Sequence, residues 1–244
     1  MATFKDRGIV LRETAVGESD KLVTLLLKER GKLTVSARGA RKPKSKTAAA
    51  TQMFAYCDYV LFDGNGFYAL AQAEVIESFY EVRSHFDAYC QGSYFLEMAD
   101  RMLLKEMPVQ EPLLLILRGL QALARGVPSA GLVGAIFTYK FLQLEGYAPS
   151  VDVCAVCGGE MEGEKLFFTG EGLCCAGCAK DVQTRKIRLT EQDAKSLREV
   201  LAQDAGALFR MDVPEPLRVT LEQTSRLFRE TNVEFPFKSL AMME

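Results

Sequence analysis

The chain has 244 residues, 48% apolar and 25% charged, a balance that excludes a disordered polypeptide and suits one large or two small globular domains. Thirty Lys and Arg stand against 32 Asp and Glu, and the resulting net charge of −2, read as an average, argues against a nucleic-acid binder. The longest nearly apolar stretch, Ala130 to Tyr139, stops at Lys140, well short of a membrane span of about 18 residues. The N-terminus, MATFKDRGIVLRE, carries charges where a signal peptide would be apolar, so the expected location is the cytoplasm.

Five short segments come first. GIVLRE (Gly8–Glu13), KLVTLLL (Lys21–Leu27), KLTVSA (Lys32–Ala37), AYCDYVLF (Ala55–Phe62) and FYALAQAEVI (Phe67–Ile76) are rich in β-branched, leucine and aromatic residues. Turn signals separate them at Val16–Ser19, at Arg30-Gly31, over Gly39–Pro43 and at Asp63–Gly66. Five strands in about 75 residues predict a small closed sheet of the OB type. Leu22, Leu25 and Leu26 also fit a helical face, and so short a run does not decide between strand and helix. GNGFYA (Gly64–Ala69) matches a dinucleotide-loop pattern but opens a strand rather than a helix, so it reads as a hairpin turn.

The average charge hides a window. From Lys28 to Lys46 the basic residues are Lys28, Arg30, Lys32, Arg38, Arg41, Lys42, Lys44 and Lys46, against Glu29 alone, a net +7 in 19 residues. Its core, RGARKPKSK, contains Gly39 and Pro43 and is therefore a loop. Such a loop can lay cations along phosphates, with salt-dependent and sequence-independent affinity. Phe54, Tyr56, Tyr59, Phe67 and Tyr68 lie nearby; some could stack on bases, although most should be core.

Beyond Arg83 the apolar period changes from two to three and four. Phe86, Tyr89, Cys90, Ser93, Tyr94, Met98 and Met102 mark one helix, LLLILRGLQALARG after Pro112 a second, and AGLVGAIFTYKFLQLEG capped by Ser129 a third. Short joins predict antiparallel packing. Thr190 with Asp193 opens a later helix, and Pro214 and Pro216 open another carrying Leu217, Leu221, Thr224 and Phe228 on one face. His85 is the only histidine, which excludes any two-histidine metal helix, and it reads as a helix-surface or capping residue.

The strongest chemical signal is C-x2-C-x17-C-x2-C, formed by Cys154, Cys157, Cys175 and Cys178. Each knuckle aims two thiolates at one point, and two knuckles supply the four ligands of tetrahedral Zn²⁺. Four sulfurs leave no open position for water, so the expected zinc is single and structural. Cys174 competes with Cys175 for the third position, and the regular C-x2-C spacing favours Cys175. Cys57 and Cys90, in a strand and a helix, are expected core thiols. No nucleotide loop and no clustered carboxylates appear; Asp58, Asp63 and Glu74 form no recognised catalytic group, so no enzyme activity is expected.

These residues together resemble the RecO family of bacterial recombination mediators. The resemblance runs over essentially the whole chain: GIVLRETAVGESDKLVTLLLKERGKL, RGARKPKSK, AQAEVIESF, LEGYAPSVDVCAVCGGE and FPFKSL, in that order. Most specific is G-E-S-D-K, Gly17 to Lys21, combined with the basic loop. It implies an α+β chain: an OB-fold domain over residues 1–80, then a helical domain over 81–244 with a zinc-ribbon-like insertion at 150–186. It also implies binding of single- and double-stranded DNA, strand annealing, and help in loading RecA onto DNA coated by single-strand-binding protein. The implied partners are DNA, RecR and the C-terminal tail of single-strand-binding protein. The residues carried over for DNA are Arg12, Lys21, Arg38, Arg41, Lys42, Lys44 and Lys46. A zinc-ribbon adaptor that binds only protein is the competing reading.

Overall fold

The computed structural model describes residues 2–64, 66–126, 129–161, 166–211 and 213–242. Five strands come first: β1 (Ala2–Val16), β2 (Asp20–Leu27), β3 (Gly31–Ala37), β4 (Tyr56–Asp63) and β5 (Tyr68–Glu77). They close into a barrel of order β1-β2-β3-β5-β4. Closure depends on the length of β1: Gly8–Val16 pairs with β2, while Ala2–Ile9 pairs with β4. The barrel shuts through a short parallel contact, Val35 with Tyr68 and Ser36 with Ala69. This is the five-stranded OB architecture expected from the strand spacing.

The ambiguity at β2 has a physical resolution. Val23, Leu25 and Leu27 face the barrel interior with Val10, Leu33, Val35, Tyr59 and Leu61. Leu26 is also fully buried, opposite Ile9 of β1. A strand covered on both faces loses its alternation and reads as a continuous apolar run, which imitates a helix segment.

The helices are α1 (Tyr80–Ser84), α2 (Phe86–Met102), α3 (Gln110–Arg125), α4 (Ala130–Leu144), α5 (Glu191–Ala202), the single turn α6 (Ala205–Leu208) and α7 (Glu215–Asn232). Two compact units result. One comprises Met1–Ala124 with Phe237–Glu244, the other Arg125–Pro236.

In the first unit α2 packs on β1 and also receives the C-terminal segment. Phe237 is buried edge-on against Tyr94, with ring centroids 5.0 Å apart. The Glu97 carboxylate accepts from the Lys238 amide (3.0 Å), the Ser239 amide (2.9 Å) and the Ser239 hydroxyl (2.7 Å). Burial pushes this carboxyl up, but the Ser239 and Lys238 donors outweigh it and hold it below its ordinary range. A depressed carboxyl stabilises the fold above its unfolded pKa, and that contribution is lost as pH falls through the folded pKa. Glu97→Ala is therefore expected to cost about 2 kcal/mol at neutral pH. Denaturant unfolding of wild type and variant, compared at neutral and acidic pH, should show the gap close in acid.

In the second unit α4 is the central helix. Every residue from Leu132 to Leu142 is buried, Lys140 included, so this helix is apolar all round. It packs on α7 and α5, with the Tyr139 and Phe228 rings stacked at 5.4 Å. The short joins predicted a run of three neighbouring helices; instead α2 and nearly all of α3 belong to the first unit and α4 to the second. A helix apolar on every side needs more cover than its sequence neighbours supply. Lys140 is accommodated by donating to the Leu201 carbonyl (2.6 Å) and Gln143 Oε1 (3.0 Å), while burial lowers its pKa.

Three short strands complete this unit: β6 (Leu166–Phe168), β7 (Leu173–Cys175) and β8 (Ile187–Leu189), in the order β7-β6-β8. The segment KLFFTGEGL (Lys165–Leu173) suits a hairpin carrying the second knuckle, and β6 and β7 form it; β8 has no counterpart in the sequence reading, because three residues are too few to show a period. The capping box opening α5 is complete, with Thr190 Oγ1 accepting from the Asp193 amide and Asp193 returning to the Thr190 amide.

Candidate nucleic-acid interface and metal centre

The cationic segment joins β3 to β4 and starts beside the β1–β2 turn, because Lys21 of β2 pairs with Ala37 of β3. Gly17 (φ +55°) and Gly39 (φ +67°) both take left-handed conformations, the first turning β1 into β2 and the second turning the chain out of β3. Asp20 Oδ1 accepts from the Gly39 amide at 2.7 Å and from Ser19 Oγ at 3.1 Å. The Gly39 amide, then the Ser19 hydroxyl, hold its carboxyl below the ordinary range. The Arg41 amide donates to the Ser19 carbonyl (2.9 Å), and Arg41 Nη1 to the Gly17 carbonyl (3.0 Å). Farther along, the Lys42 amide donates to the Gly39 carbonyl and the Ser45 amide to the Lys42 carbonyl. The segment is thus a series of tight turns tied to Gly17–Asp20.

The basic residues separate into engaged and free. Arg12 lies 3.4 Å from Asp100 of α2, and Lys32 reaches the same carboxylate at 3.8 Å. Lys21 is paired with Glu13. Arg30 stacks 3.9 Å over the Phe4 ring and approaches Asp63. Arg41 is held by Gly17. Among the described residues Arg38, Lys42, Lys44 and Lys46 are exposed and make no ion pair or side-chain hydrogen bond. The structure therefore brings Arg38, Arg41, Lys42 and Lys21 to the Asp20 turn and directs Arg12 instead to α2.

The aromatic neighbours divide in the same way. Phe54 and Tyr59 are core, the latter donating to the Ala50 carbonyl at 3.0 Å. Phe67 is 56% exposed, and Phe62, which the sequence did not single out, is 42% exposed. His85 is exposed at the N-cap of α2 without a capping bond from its side chain. Asp58 is spent on Arg7, at 2.7 Å.

The cysteines converge as their spacing requires. The sulfurs of Cys154, Cys157, Cys175 and Cys178 lie within 4.8 Å of one another, close enough to hold a metal ion. Tetrahedral zinc with Zn–S near 2.3 Å sets sulfurs about 3.8 Å apart, so the donor set fits with little adjustment. The Gly158 amide returns to the Cys154 carbonyl (2.9 Å), closing the first knuckle, and the Cys175 amide donates to Cys154 Sγ (3.4 Å), joining the two. Burial raises the Cys154 thiol, but amides of Cys157, Cys175 and Val156 outweigh it and bring the thiol down to about 6. Such amides favour a thiolate, the form that binds metal.

Cys174 stands outside the four. Cys174 is fully buried in the small core with Cys154 and Ala179, opposite Phe167 in the β6–β7 register, and its sulfur is not among the four that converge. Burial pushes its thiol up to about 11. Cys174→Ser should leave metal content unchanged and Cys175→Ser should lower it, as read by elemental analysis of the purified variants. Cys57 and Cys90 are fully buried, as expected of core thiols.

Among the described residues no helix is long and apolar enough to cross a membrane. The N-terminal domain model of Recombination protein O matches residues 1–79, and the C-terminal model matches residues 83–241. The DNA repair protein RecO of Acetivibrio thermocellus is 30% identical over 241 residues, covering 98% of this chain and 96% of the relative. The RecO proteins of Shouchella clausii and Listeria welshimeri are 31% and 32% identical, each over 96% of this chain and 91% of the relative. Matched along both halves and nearly end to end, with the barrel and the cysteine cluster in place, the chain belongs to the RecO family of DNA repair proteins.

Proposed function

We propose that this chain is a non-enzymatic recombination mediator that binds single- and double-stranded DNA, anneals complementary strands and assists the loading of RecA onto DNA coated by single-strand-binding protein. The observation that carries this reading is the set of four exposed, unengaged cations, Arg38, Lys42, Lys44 and Lys46, on a loop tied to an OB barrel. Cations spaced along a fixed loop neutralise successive phosphates and release their counterions, whatever the base sequence. Two strands that repel each other then meet with a smaller electrostatic penalty, which is the physical basis of annealing. Lys21, paired with Glu13, and Arg41, held by the Gly17 carbonyl, would add to this surface at the Asp20 turn, and Arg12, paired with Asp100 of α2, would contribute from outside the loop. The OB domain, residues 1–80, would carry DNA, and the helical domain, 81–244 with its module at 150–186, would carry the metal.

Cys154, Cys157, Cys175 and Cys178 would hold one Zn²⁺, whose chemistry here is to cross-link two knuckles; four sulfurs leave no place for substrate or water. RecR and the C-terminal tail of single-strand-binding protein are the protein partners the family suggests, with a nucleoid-associated cytoplasmic location. The test is binding to single-stranded DNA at several salt concentrations, naked and precoated with single-strand-binding protein, beside an annealing assay. Salt-sensitive binding and faster annealing are expected; salt-independent binding or no annealing would overturn the reading. The adaptor reading is favoured by one observation, that the cysteine cluster lies in a compact unit that does not contain the barrel. It predicts partner capture without any DNA affinity.

A further inference from the structure

We propose that Asp20 is the positioning residue of the cationic segment: its carboxylate fixes the Gly39 amide and so sets where the following lysines and arginines stand. The inference rests on the DNA-binding reading above and identifies the device that orders that surface.

Charge alone makes Asp20 a liability. It stands close enough to Arg38 and Lys42 to feel both, and an anion there weakens the potential that a phosphate would meet. Its geometry has the opposite effect. Asp20 Oδ1 receives the Gly39 amide at 2.7 Å, where the chain takes φ +67° and turns out of β3. A charged acceptor binds such an amide more strongly than a neutral one. Two further bonds close on the same turn, from the Arg41 amide to the Ser19 carbonyl and from Arg41 Nη1 to the Gly17 carbonyl. The next turn is built on the first, since the Lys42 amide donates to the Gly39 carbonyl. Releasing Gly39 would free the base of the whole series. A free cationic arm still attracts phosphate, but it must lose conformational freedom on binding, and that loss weakens affinity. The Gly-Glu-Ser-Asp-Lys turn and the basic loop, separate in sequence, are thus one unit in the fold.

The two effects predict opposite signs for one substitution. Asp20→Ala removes a negative charge from a cationic surface, so electrostatics alone gives tighter DNA binding. Loss of positioning gives weaker binding instead, by about tenfold, with a shallower salt dependence. Asp20→Asn keeps an oxygen that can accept from Gly39 but loses the charge, and should fall between wild type and Asp20→Ala. The measurement is fluorescence anisotropy of labelled single-stranded DNA at several salt concentrations on the full chain, with thermal melting as the folding control. Asp20→Ala binding as tightly as wild type, or tighter, would overturn the proposal. Hydrogen exchange on the wild-type chain gives a second reading that needs no variant: the Gly39 and Arg41 amides should be protected, and free exchange at Gly39 would equally overturn it. Reversal of Lys42, Lys44 and Lys46 to Glu, run alongside, separates the two levels. If reversal leaves affinity intact, the DNA-binding reading fails; if reversal abolishes binding while Asp20→Ala changes nothing, only the positioning role fails.

Discussion

Reversing Arg38, Lys42, Lys44 and Lys46 to Glu is expected to abolish DNA binding while leaving the barrel folded. All four side chains are exposed and make no ion pair among the described residues, so their loss costs the fold little. Their loss to DNA is large. Each phosphate contact removed lowers the slope of log affinity against log salt by about 0.7 on a single strand, so four contacts account for a slope change of about 3. Replacing four attractions by four repulsions should weaken binding by about a thousandfold or more at moderate salt. Arg41 is left out of this set because its guanidinium holds the Gly17 carbonyl, and its reversal would loosen the turn as well as the charge. Equilibrium binding across a salt series, with unfolding curves for the same variant, checks both halves. A folded variant with unchanged affinity would remove the cationic loop from the function.

Loss of the metal is the second large effect. One zinc per purified chain is expected, and Cys154→Ser with Cys157→Ser should abolish it. Apparent binding energies of structural zinc sites reach about 10 kcal/mol in small modules, and binding is coupled to their folding. Even a third of that, spread over a unit of this size, would lower the melting temperature by about 10 °C. Because the ligands would bind as thiolates, acid should compete with the metal, with retention expected at neutral pH and release as protons reclaim the sulfurs. DNA binding by the barrel should survive. Elemental analysis and melting with and without chelator check this outcome; a chain without zinc whose thiols titrate freely would sink the assignment. Partner capture that fails with the cysteine variant but survives loop reversal would favour the adaptor.

Much of this architecture is legible in the sequence. Four of the five strands lie within a residue of their expected places; β1 runs from Ala2 to Val16 rather than from Gly8 to Glu13. The segment Ala2–Arg7 alternates apolar and polar residues too weakly to read as a strand, yet its backbone is needed to pair β4 and close the barrel. The cysteine cluster was legible because two C-x2-C knuckles at this spacing are a local geometric pattern, and the four sulfurs do converge. Spacing also favours Cys175 over Cys174, and of the two it is Cys175 whose sulfur joins the cluster.

The sequence by itself determined the kinds of structure and chemistry: a small closed sheet, a helical remainder, a four-cysteine cluster, and a cationic window hidden beneath a net charge of −2. These follow from local periodicity, turn chemistry and ligand spacing, which the chain carries within short windows. The tertiary structure decided which charges are free. Eight basic residues in a window look equivalent in a sequence, but Lys28 is drawn to Glu29, Arg30 to Phe4, Lys32 to Asp100 and Arg41 to Gly17, and outside the window Arg12 is drawn to Asp100 and Lys21 to Glu13. Apart from Glu29, each of those partners lies elsewhere along the chain or across a turn, and only strand register and helix docking bring them into range. Coulomb attraction and hydrogen bonding act through space over a few ångströms, so the free charge of a surface is a property of the fold.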